Sequence, residues 1–455
     1  MNQSIVNPVV LLIVLVLGVL ICFGSRKRAI AAFLGGAIMI PMDQILMIGP
    51  LHFPMLRLLL LFGMVRMFRT KISSQFRILG TGWNTIDIAL VALTIISAIN
   101  GIALYRDSTT VVYELGELYT AFGGYVLLRY LIRDEDDVRV TIRALAWIAV
   151  IVAGVMIYEQ ATGRNPIYGF LGGARADVFG SVLEREGRRA TGPFGHPILA
   201  GTFGAITLPL FVGLWWDDRK YRTTALAGIS AAAIIPFAAN SSTALMGFIG
   251  GLIALGFWYA RRQMRIVRWA FVLSVIVLHS VMKAPVWHLI SRIDLSGGSS
   301  SYHRYQLVNQ CIQHFADWWL IGTKYYGDWG WDMWDLSDQY VLIADESGLI
   351  ALLCFLAMIV YGFKYLGRAR RLSINHRQEL FIWAIGSSLF ANVIAFLGIG
   401  YFDQTIIVWY ALMAVIAVVT LGERRTQLLP QKKVSEAQPS FSFEPDLEPE
   451  LKMLR

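Results

Sequence analysis

Charged side chains are scarce in this sequence: Asp, Glu, Lys and Arg make up only 16% of its 455 residues. Soluble globular proteins carry roughly 25% charged residues, so a deficit over the whole chain leaves too little polar surface for a fold that faces water. Hydrophobic residues account for 56% of the chain, and the mean hydropathy is +0.56. The composition excludes a soluble globular protein and predicts an integral membrane protein.

Cysteine is rare as well, with three in the chain. Cys22 and Cys354 lie in apolar runs and leave Cys311 without an obvious partner, so no disulfide framework is predicted. The sequence also lacks a CxxC pair, a Cys/His ligand spacing, a P-loop, a dinucleotide fingerprint and a nucleophile elbow. We therefore expect no metal and no cofactor. The net charge of +9 does not predict nucleic acid as a partner, because basic cytoplasmic loops are typical of membrane proteins.

Apolar runs of about 20 residues, the length that a helix needs to cross a hydrocarbon core of roughly 30 Å, recur along the chain. They predict an all-α polytopic membrane protein with about 12–13 transmembrane helices. The predicted spans are residues 8–24, 29–48, 50–66, 85–103, 110–131, 139–160, 194–214, 223–239, 242–260, 267–289, 342–363, 380–401 and 404–421.

Basic residues alternate along the chain in a way that predicts its orientation. Every second connection between spans is rich in Lys and Arg, beginning with Arg26, Lys27 and Arg28, whereas most of the others are short and nearly uncharged. Because cytoplasmic loops carry the basic excess, the N-terminus is predicted to be on the outer side of the membrane and the C-terminus in the cytoplasm. The first apolar run has no basic segment before it, so we expect a first span and not a cleaved signal peptide.

Two predicted external segments are long, about 161–193 and about 291–340, and the second is expected to form a long helical loop between the tenth and eleventh spans. Loops beyond about 15 residues are usually functional, so these segments are the candidate sites. The domain organisation predicted is one transmembrane domain over 1–421 and a polar cytoplasmic tail over 422–455, which we expect to be disordered.

The first external segment ends in two arginines, Arg188 and Arg189, followed by a turn rich in glycine and proline. Arginine is unusual on the non-cytoplasmic side of a membrane, because Lys and Arg are concentrated in cytoplasmic loops. Its planar guanidinium makes two hydrogen bonds to phosphate oxygens. One interpretation is recognition of a polyanion at the membrane surface. The other is that these arginines bind lipid headgroups or pair with Glu184 and Glu186.

The second external segment is dense in Trp, Tyr, Gly and Asp. Aromatic faces beside carboxylates suit carbohydrate, whereas isolated aromatics would indicate the ordinary interfacial belt of a membrane protein. The density favours a binding surface. Hard cations prefer oxygen ligands, but the four aspartates of the segment lack a recognised ligand spacing, so a metal site is not expected. These aspartates are Asp328, Asp332, Asp335 and Asp338.

Charges inside predicted spans are costly and are usually paired or functional. We predict that Arg57 in the third span pairs with Asp43 near the end of the second. Glu114 and Glu117 lie three residues apart on one face of the fifth span. Three interpretations stay open for Glu114 and Glu117: a structural ion pair with another charged residue of the spans, a polar cavity that opens to the outer side, and a proton relay as in transporters.

Three segments together resemble the O-antigen ligase and polymerase superfamily of bacterial inner-membrane glycosyltransferases. Residues 189–197 are similar to that family's Arg-x-x-Gly-x-Phe-x-x-Pro motif at the start of a span. Arg304, followed by Asp317-Trp318-Trp319-Leu320-Ile321-Gly322, is similar to its arginine-containing second motif. The stretch from Ser337 through Glu346-Ser347-Gly348-Leu349 resembles its closing motif, with the same spacing. The number of spans and the place of the long loop also fit, so the resemblance covers most of the chain.

The resemblance implies a metal-independent glycosyl transfer on the periplasmic side of the bacterial inner membrane. The donor would be a glycan on undecaprenyl pyrophosphate, and the acceptor a sugar hydroxyl. Arg188, Arg189 and Arg304 would bind the pyrophosphate and stabilise it as the leaving group. The glycan would contact aromatic side chains of the second external segment, namely Trp329, Trp331, Trp334 and Tyr340.

The closing motif departs from the family at its first position, which is histidine in ligases and Ser337 here. The catalytic candidates are therefore Ser337 itself, Asp338 beside it and His303, of which serine is a poor general base. The departure favours a polymerase of lipid-linked O-antigen or exopolysaccharide repeat units, with a ligase as the alternative. The alternative from another class is a transporter or flippase of a lipid-linked or anionic solute. Expected partners are the carrier-linked glycan, membrane lipid and other polysaccharide-assembly proteins.

Overall fold

The structure, a computed structural model, describes residues 6–48, 51–73, 82–173, 189–292 and 300–435. It is about 80% helical, which confirms the all-α class. Within those ranges, nine helices are long and apolar enough to cross a membrane, so the protein is a multi-pass membrane protein. These nine are α4 (Thr85–Tyr105), α6 (Glu135–Thr162), α8 (Pro197–Asp217), α9 (Arg222–Ala239), α10 (Ser242–Gly256), α11 (Met264–Val281), α14 (Gln339–Leu372), α15 (His376–Ala395) and α16 (Asp403–Ser435).

Four further helices coincide with the remaining predicted spans but are shorter or less apolar. They are α1 (Pro8–Phe23), α2 (Arg26–Met39), α3 (Met55–Ser73) and α5 (Ser108–Leu131). The predicted boundaries at 29–48 and 50–66 are wrong, because α2 ends at Met39 and a hairpin of β1 (Ile45–Ile48) and antiparallel β2 (Leu51–Pro54) follows. Pro41 explains the early end, since the residue before a proline disfavours the helical conformation and Ile40 is extended.

The centre of the bundle is α8, of which most side chains are buried. It contacts α6, α9, α10 and α15. Small residues permit the close approach to α9: a Cβ at Gly201 would lie 2.8 Å from the Cβ of Ala239, and one at Gly204 would lie 2.8 Å from that of Ile235. Small residues at helix interfaces are typical of membrane bundles, where packing rather than water exclusion holds helices together.

A buried ion pair joins α4 to α5. The Arg129 Nε donates a hydrogen bond of 2.8 Å to Asp87 Oδ1, and both side chains are almost fully enclosed. The Tyr125 hydroxyl donates to the same oxygen. Asp87 also belongs to a capping box with Asn84 at the start of α4. A charge inside a span is tolerated when it is paired in this way, and the pair fixes the register of the two helices.

Helix α14 is broken at Gly348, and the break receives the segment around Gly322. Both glycines have positive φ, and a Cβ at Gly322 would lie only 2.6 Å from the Asp345 carbonyl oxygen. Thr323 N donates to that carbonyl at 2.7 Å, and Leu349 N donates to the Trp319 carbonyl at 2.9 Å. Backbone freed by a helix break inside a membrane protein must be satisfied by neighbours, and these contacts do so.

Two segments between the spans carry the residues predicted to form the site. After α6 comes α7 (Pro166–Leu171), while 174–188, including Arg188, lie outside the described residues. Between α11 and α14 the chain forms α12 (Ser300–Gln313) and α13 (Phe315–Trp318), which pack on a small apolar core of their own. Helix α16 continues to Ser435, into the predicted tail, and the rest of that tail lies outside the described residues.

Candidate functional site

The turn that carries Arg189 is held by Glu159, a buried residue near the end of α6. The Glu159 carboxylate accepts hydrogen bonds from Thr191 N at 3.0 Å, Gly192 N at 2.9 Å and the Thr191 hydroxyl at 3.2 Å. Asn165 Nδ2 donates to the same carboxylate at 3.1 Å and to the Gly192 carbonyl at 2.7 Å. One acidic side chain therefore fixes the backbone that positions Arg189.

Arg189 and Arg304 meet at one place, the junction between α9 and α10. Arg189 Nε donates to the carbonyl of Ala239, the last residue of α9, at 3.4 Å. The Arg304 guanidinium donates to the hydroxyl of Thr243, in the first turn of α10, at 2.8 Å. The two arginines are 8% and 4% exposed. The structure therefore brings the first and second motifs of the sequence together and concentrates positive charge in a buried position.

His196 lies beside this pair and caps α8. Its Nδ1 accepts a hydrogen bond of 3.2 Å from Ile198 N. Burial, and next the positive charge of Arg189, lower the pKa of His196 to about 4, and Asp335 opposes this shift. The ring is therefore neutral near pH 7, and because Nδ1 accepts, the proton is on Nε2. His196 can donate a hydrogen bond from Nε2 but offers no free lone pair there.

Asp338 is the N-cap of α14 and is 1% exposed. Its Oδ1 accepts hydrogen bonds from Tyr340 N at 2.8 Å and Val341 N at 3.1 Å. Burial raises the pKa of Asp338 to about 6, while the two backbone donors and the charge of Arg304 act in the opposite direction. Its Oδ2 has no hydrogen-bond partner among the described residues. Asp338 therefore caps the start of α14 and also interacts electrostatically with Arg304.

Asp335 links the arginine pair to a large cavity. The Ser337 hydroxyl donates to Asp335 Oδ1 at 2.6 Å, and His303 Nε2 lies 2.9 Å from the Asp335 carbonyl oxygen. Because a carbonyl only accepts, His303 carries its proton on Nε2, and its lone pair is on Nδ1. The Asp335 side chain is exposed, and both Asp335 and Ser337 line the cavity.

A metal could be held only by a few groups in the described part of the chain. His303, Asp332 and Asp335 each offer one ligand atom, and these atoms lie within 4.8 Å of one another. One imidazole nitrogen and two carboxylates form a donor set that a divalent cation accepts. Two of the four aspartates considered from the sequence thus come together with a histidine. The expectation of metal-independent chemistry stays a prediction.

The cavity has a volume of about 1040 Å³ and opens among α3, α4, α5, α14 and α16. It extends from the connection between α4 and α5 down to Leu90, a distance of roughly 21 Å along α4 at 1.5 Å per residue. We call the end of the bundle where it opens the site end. Its charged lining residues are Arg57, Glu114, Glu117, Asp335, Glu346 and Asp403.

The four aromatic residues predicted to bind glycan lie in different places. Trp334 is 56% exposed and lines the cavity. Trp331 is 79% exposed but is not part of the lining. Trp329 stacks on His314 with ring centroids 4.6 Å apart. Tyr340 packs against Phe355 and Phe396 and donates its hydroxyl to the Val393 carbonyl. Only Trp334 is thus available to a ligand inside the cavity.

Arg57 pairs with Glu117, at 3.1 Å, and not with Asp43 as predicted. It also donates to the Thr120 hydroxyl and to the His52 carbonyl. The prediction failed because the hairpin of β1 and β2 separates α2 from α3 and redirects Arg57 toward α5. Glu114 and Glu117 both line the cavity, so the ion pair and the polar cavity left open by the sequence occur together.

Sequence reasoning gave no role to Glu159 or Thr243, and none to His196 beyond its place in the motif over residues 189–197. Glu159 carried a usable signal, since an acidic residue near the end of a span needs a partner. Thr243 carried none, because a threonine in an apolar helix commonly bonds to its own backbone.

No protein-family model matches this chain, and no curated protein matches it in sequence. The resemblance described from the motifs stays a prediction.

Proposed function

We propose that this protein transfers a glycan from undecaprenyl pyrophosphate to a sugar hydroxyl at the periplasmic face of the membrane. The observation that carries the proposal is the meeting of Arg189 and Arg304 at the junction of α9 and α10. A guanidinium makes charge-assisted hydrogen bonds to phosphate oxygens. Such hydrogen bonds are stronger in a buried site than in water, so two arginines at one helix junction suit a diphosphate.

The same charges serve the reaction. The acceptor hydroxyl oxygen forms a bond to the anomeric carbon, the bond from that carbon to the pyrophosphate oxygen breaks, and its electron pair leaves with the diphosphate. Arg189 and Arg304 stabilise the charge that develops on the leaving group. His196 supports them by donating from Nε2, since it is neutral and its Nδ1 is already engaged.

The general base that fits the geometry is Asp335. Its carboxylate is exposed at the cavity and accepts from the Ser337 hydroxyl, which orients it. Asp338 is less suitable, because one oxygen caps α14 and the whole side chain is enclosed. In this scheme the acceptor proton passes to Asp335, and Ser337 has a positioning role. His303 fixes the same segment through the Asp335 carbonyl.

The reaction proposed is the lengthening of lipid-linked repeat units of O-antigen or exopolysaccharide. It rests on the motif resemblance and on Ser337 in place of the histidine of ligases. The alternative within the class is a ligase. Transfer of glycan to a lipid A–core acceptor by the purified protein, without any lengthening of lipid-linked chains, would replace the polymerase with the ligase.

The pyrophosphate role is tested by binding of undecaprenyl pyrophosphate to the purified protein, measured by native mass spectrometry. Arg189→Ala and Arg304→Ala should each weaken binding at least tenfold, because a hydrogen bond to a charged group contributes about 1.5–3 kcal/mol. Undecaprenyl monophosphate should bind more weakly than the diphosphate to the wild type.

Matched controls are Arg164→Ala and Arg292→Ala, which change exposed arginines near the same two segments. Neither should alter binding. Equal binding of undecaprenyl pyrophosphate by the wild type and both motif variants, in correctly inserted protein, would remove the pyrophosphate role and the proposal with it.

The metal-independent character is tested with EDTA. Chain lengthening by the purified protein should continue at an unchanged rate, because the charge on the leaving group is met by arginine. A loss of activity that Mn²⁺ restores in the wild type, but not in His303→Ala, would instead assign the group of His303, Asp332 and Asp335 to a metal.

One observation favours a second candidate, a transporter or flippase. Glu114, Glu117 and Glu346 lie within membrane helices and line the cavity, and ionisable residues in such places often mark a solute path. Reconstituted vesicles distinguish the two functions. A transporter would move a fluorescent lipid-linked sugar across the bilayer without changing it, whereas the proposed enzyme changes its length without moving it.

A further inference from the structure

The cavity at the site end is strongly acidic. Five carboxylates line it against one arginine, and that arginine is paired with Glu117 at 3.1 Å. The other four carboxylates, on Glu114, Asp335, Glu346 and Asp403, have no ion-pair partner among the described residues. The lining therefore holds more acidic than basic side chains, and Arg189 and Arg304 are not part of it.

The rest of the lining is suited to sugars. Aromatic side chains face the space from several elements, together with hydroxyl groups; these residues include Tyr105, Tyr113, Tyr326, Trp334, Thr94, Ser97, Thr109 and Thr110. A volume of about 1040 Å³ lies at the upper end of the range of about 300–1,000 Å³ typical of ligand sites. Glu346 is exposed although it lies in a spanning helix, because it faces this space.

We propose that the cavity selects glycans by charge: it accepts oligosaccharides built from neutral or amino-bearing sugars and rejects those that contain uronic acids. The inference rests on the proposed function and specifies the glycan that this site handles. Its physical basis is that charges in a cleft with low-dielectric walls are poorly screened, so that fixed carboxylates attract ammonium groups and repel sugar carboxylates. Hydroxyl groups bond to carboxylates without a net charge penalty.

Separation of the two charged regions supports this assignment. The pyrophosphate requires positive charge, whereas the glycan attached to it extends away from that charge. Asp335 connects the two regions, since it lines the cavity and its charge also interacts with the His196 ring. A glycan rich in uronic acids would bring its carboxylates toward Glu114 and Glu346, whereas amino sugars would find partners there.

The test compares three trisaccharides that differ in charge: glucosamine trimer, its neutral N-acetylated form, and trigalacturonate. Binding to the purified full-length protein is measured at pH 7 and low ionic strength by isothermal titration calorimetry. The glucosamine trimer should bind at least tenfold more tightly than trigalacturonate, with the neutral trimer between them. The ratio should fall as salt is added, because exposed charges are screened.

The double variant E114Q/E346Q should reduce this ratio at least fivefold, because an amide carries no charge. The matched control is Asp328→Asn, which removes an exposed carboxylate of the segment between α13 and α14 that does not line the cavity. It should leave the ratio unchanged.

Equal binding of all three trisaccharides, or tighter binding of trigalacturonate, would overturn charge selection, and so would a complete lack of binding. Binding of simple polyamines as tightly as of the glucosamine trimer would overturn it too, because the cavity would then be a cation site. None of these outcomes affects binding of undecaprenyl pyrophosphate through Arg189 and Arg304, so the proposed function is tested separately.

Discussion

Glu159 stabilises the arginine turn through a carboxylate that accepts from two backbone amides, a hydroxyl and a side-chain amide. His196 follows the same turn, and because its Nδ1 accepts from Ile198 N in capping α8, its proton is on Nε2. At the scale of single residues, the candidate site thus depends on side chains whose hydrogen bonds fix the orientation of neighbouring backbone and side-chain groups. Their contribution is to hold charge and donors in place before a ligand arrives.

His196 should make the fold sensitive to acid. Its folded pKa, about 4, is below the ordinary value of 6.5 because burial and Arg189 disfavour the charged ring. The neutral form therefore stabilises the fold fully above pH 6.5, and this stabilisation is lost as the pH falls from about 6.5 to about 4. The loss amounts to about 3 kcal/mol at most. His196→Asn keeps a capping oxygen but does not titrate.

The measurement is the melting temperature in detergent at pH 7 and pH 4.5. The decrease on acidification should be smaller in His196→Asn than in the wild type. The control is His376→Asn, since the His376 side chain is 66% exposed, and it should behave as the wild type does. An unchanged decrease in His196→Asn would contradict a buried neutral ring.

Elements were more predictable than the contacts between them. The lengths of apolar runs indicated a helix at each predicted span, because a membrane helix must satisfy its own backbone. The sequence did not reveal the break in α14: Asp345, Glu346 and Ser347 are polar, but a long apolar run follows Gly348 and is typical of continuous helix. The break follows from a tertiary contact with Trp319 and Thr323, more than twenty residues away along the chain. Pro41 is a sequence signal for the end of α2, although the predicted span continued to residue 48.

The ion pair between α4 and α5 gives a prediction at this scale. Arg129→Met should destabilise the protein by about 3–5 kcal/mol, because it leaves the Asp87 carboxylate buried without its cation. The double variant D87L/R129M should recover a large part of this loss, since neither charge then remains. The measurement is unfolding in mixed detergent micelles, followed by helical circular dichroism.

A surface pair provides the comparison. Lys220→Met removes the contact with Asp218, in which both side chains are exposed, and should leave the stability nearly unchanged. If Arg129→Met cost no more than Lys220→Met, the pair of Arg129 and Asp87 would not hold α4 against α5.

At the scale of the whole molecule, sequence reasoning selected two segments by their motifs but could not predict that both contact the same helix junction. Arg189 and Arg304 were chosen for their motifs, yet their meeting depends on α9 and α10, whose apolar sequences contain no sign of it. Asp335 was considered only as a metal ligand, because nothing local distinguishes it from Asp338. Which carboxylate caps a helix and which faces a cavity is decided by the packing of α14 against its neighbours.

Orientation is testable at this scale. Trp331→Cys, introduced into a variant without Cys22, Cys311 and Cys354, should react with a membrane-impermeant maleimide in intact cells. Arg262→Cys, in the exposed turn between α10 and α11, should react only after the inner membrane is permeabilised, because basic connections face the cytoplasm. The reverse pattern would place the arginine pair in the cytosol and exclude a periplasmic reaction.

The break in α14 also has a consequence for the proposed polymerisation, because it restricts how a polymer would enter and leave. Main-chain hydrogen bonds on either side of Gly348 hold residues 319–323 against α14. The chain segment above the cavity therefore cannot pivot at that point. Moving this stretch away from α14 would break these hydrogen bonds and leave peptide groups without partners where water is absent. The free-energy cost is several kcal/mol for each group. In the proposed reaction, a growing chain would therefore leave sideways between helices, along the bilayer, while residues 319–323 stay bound to α14.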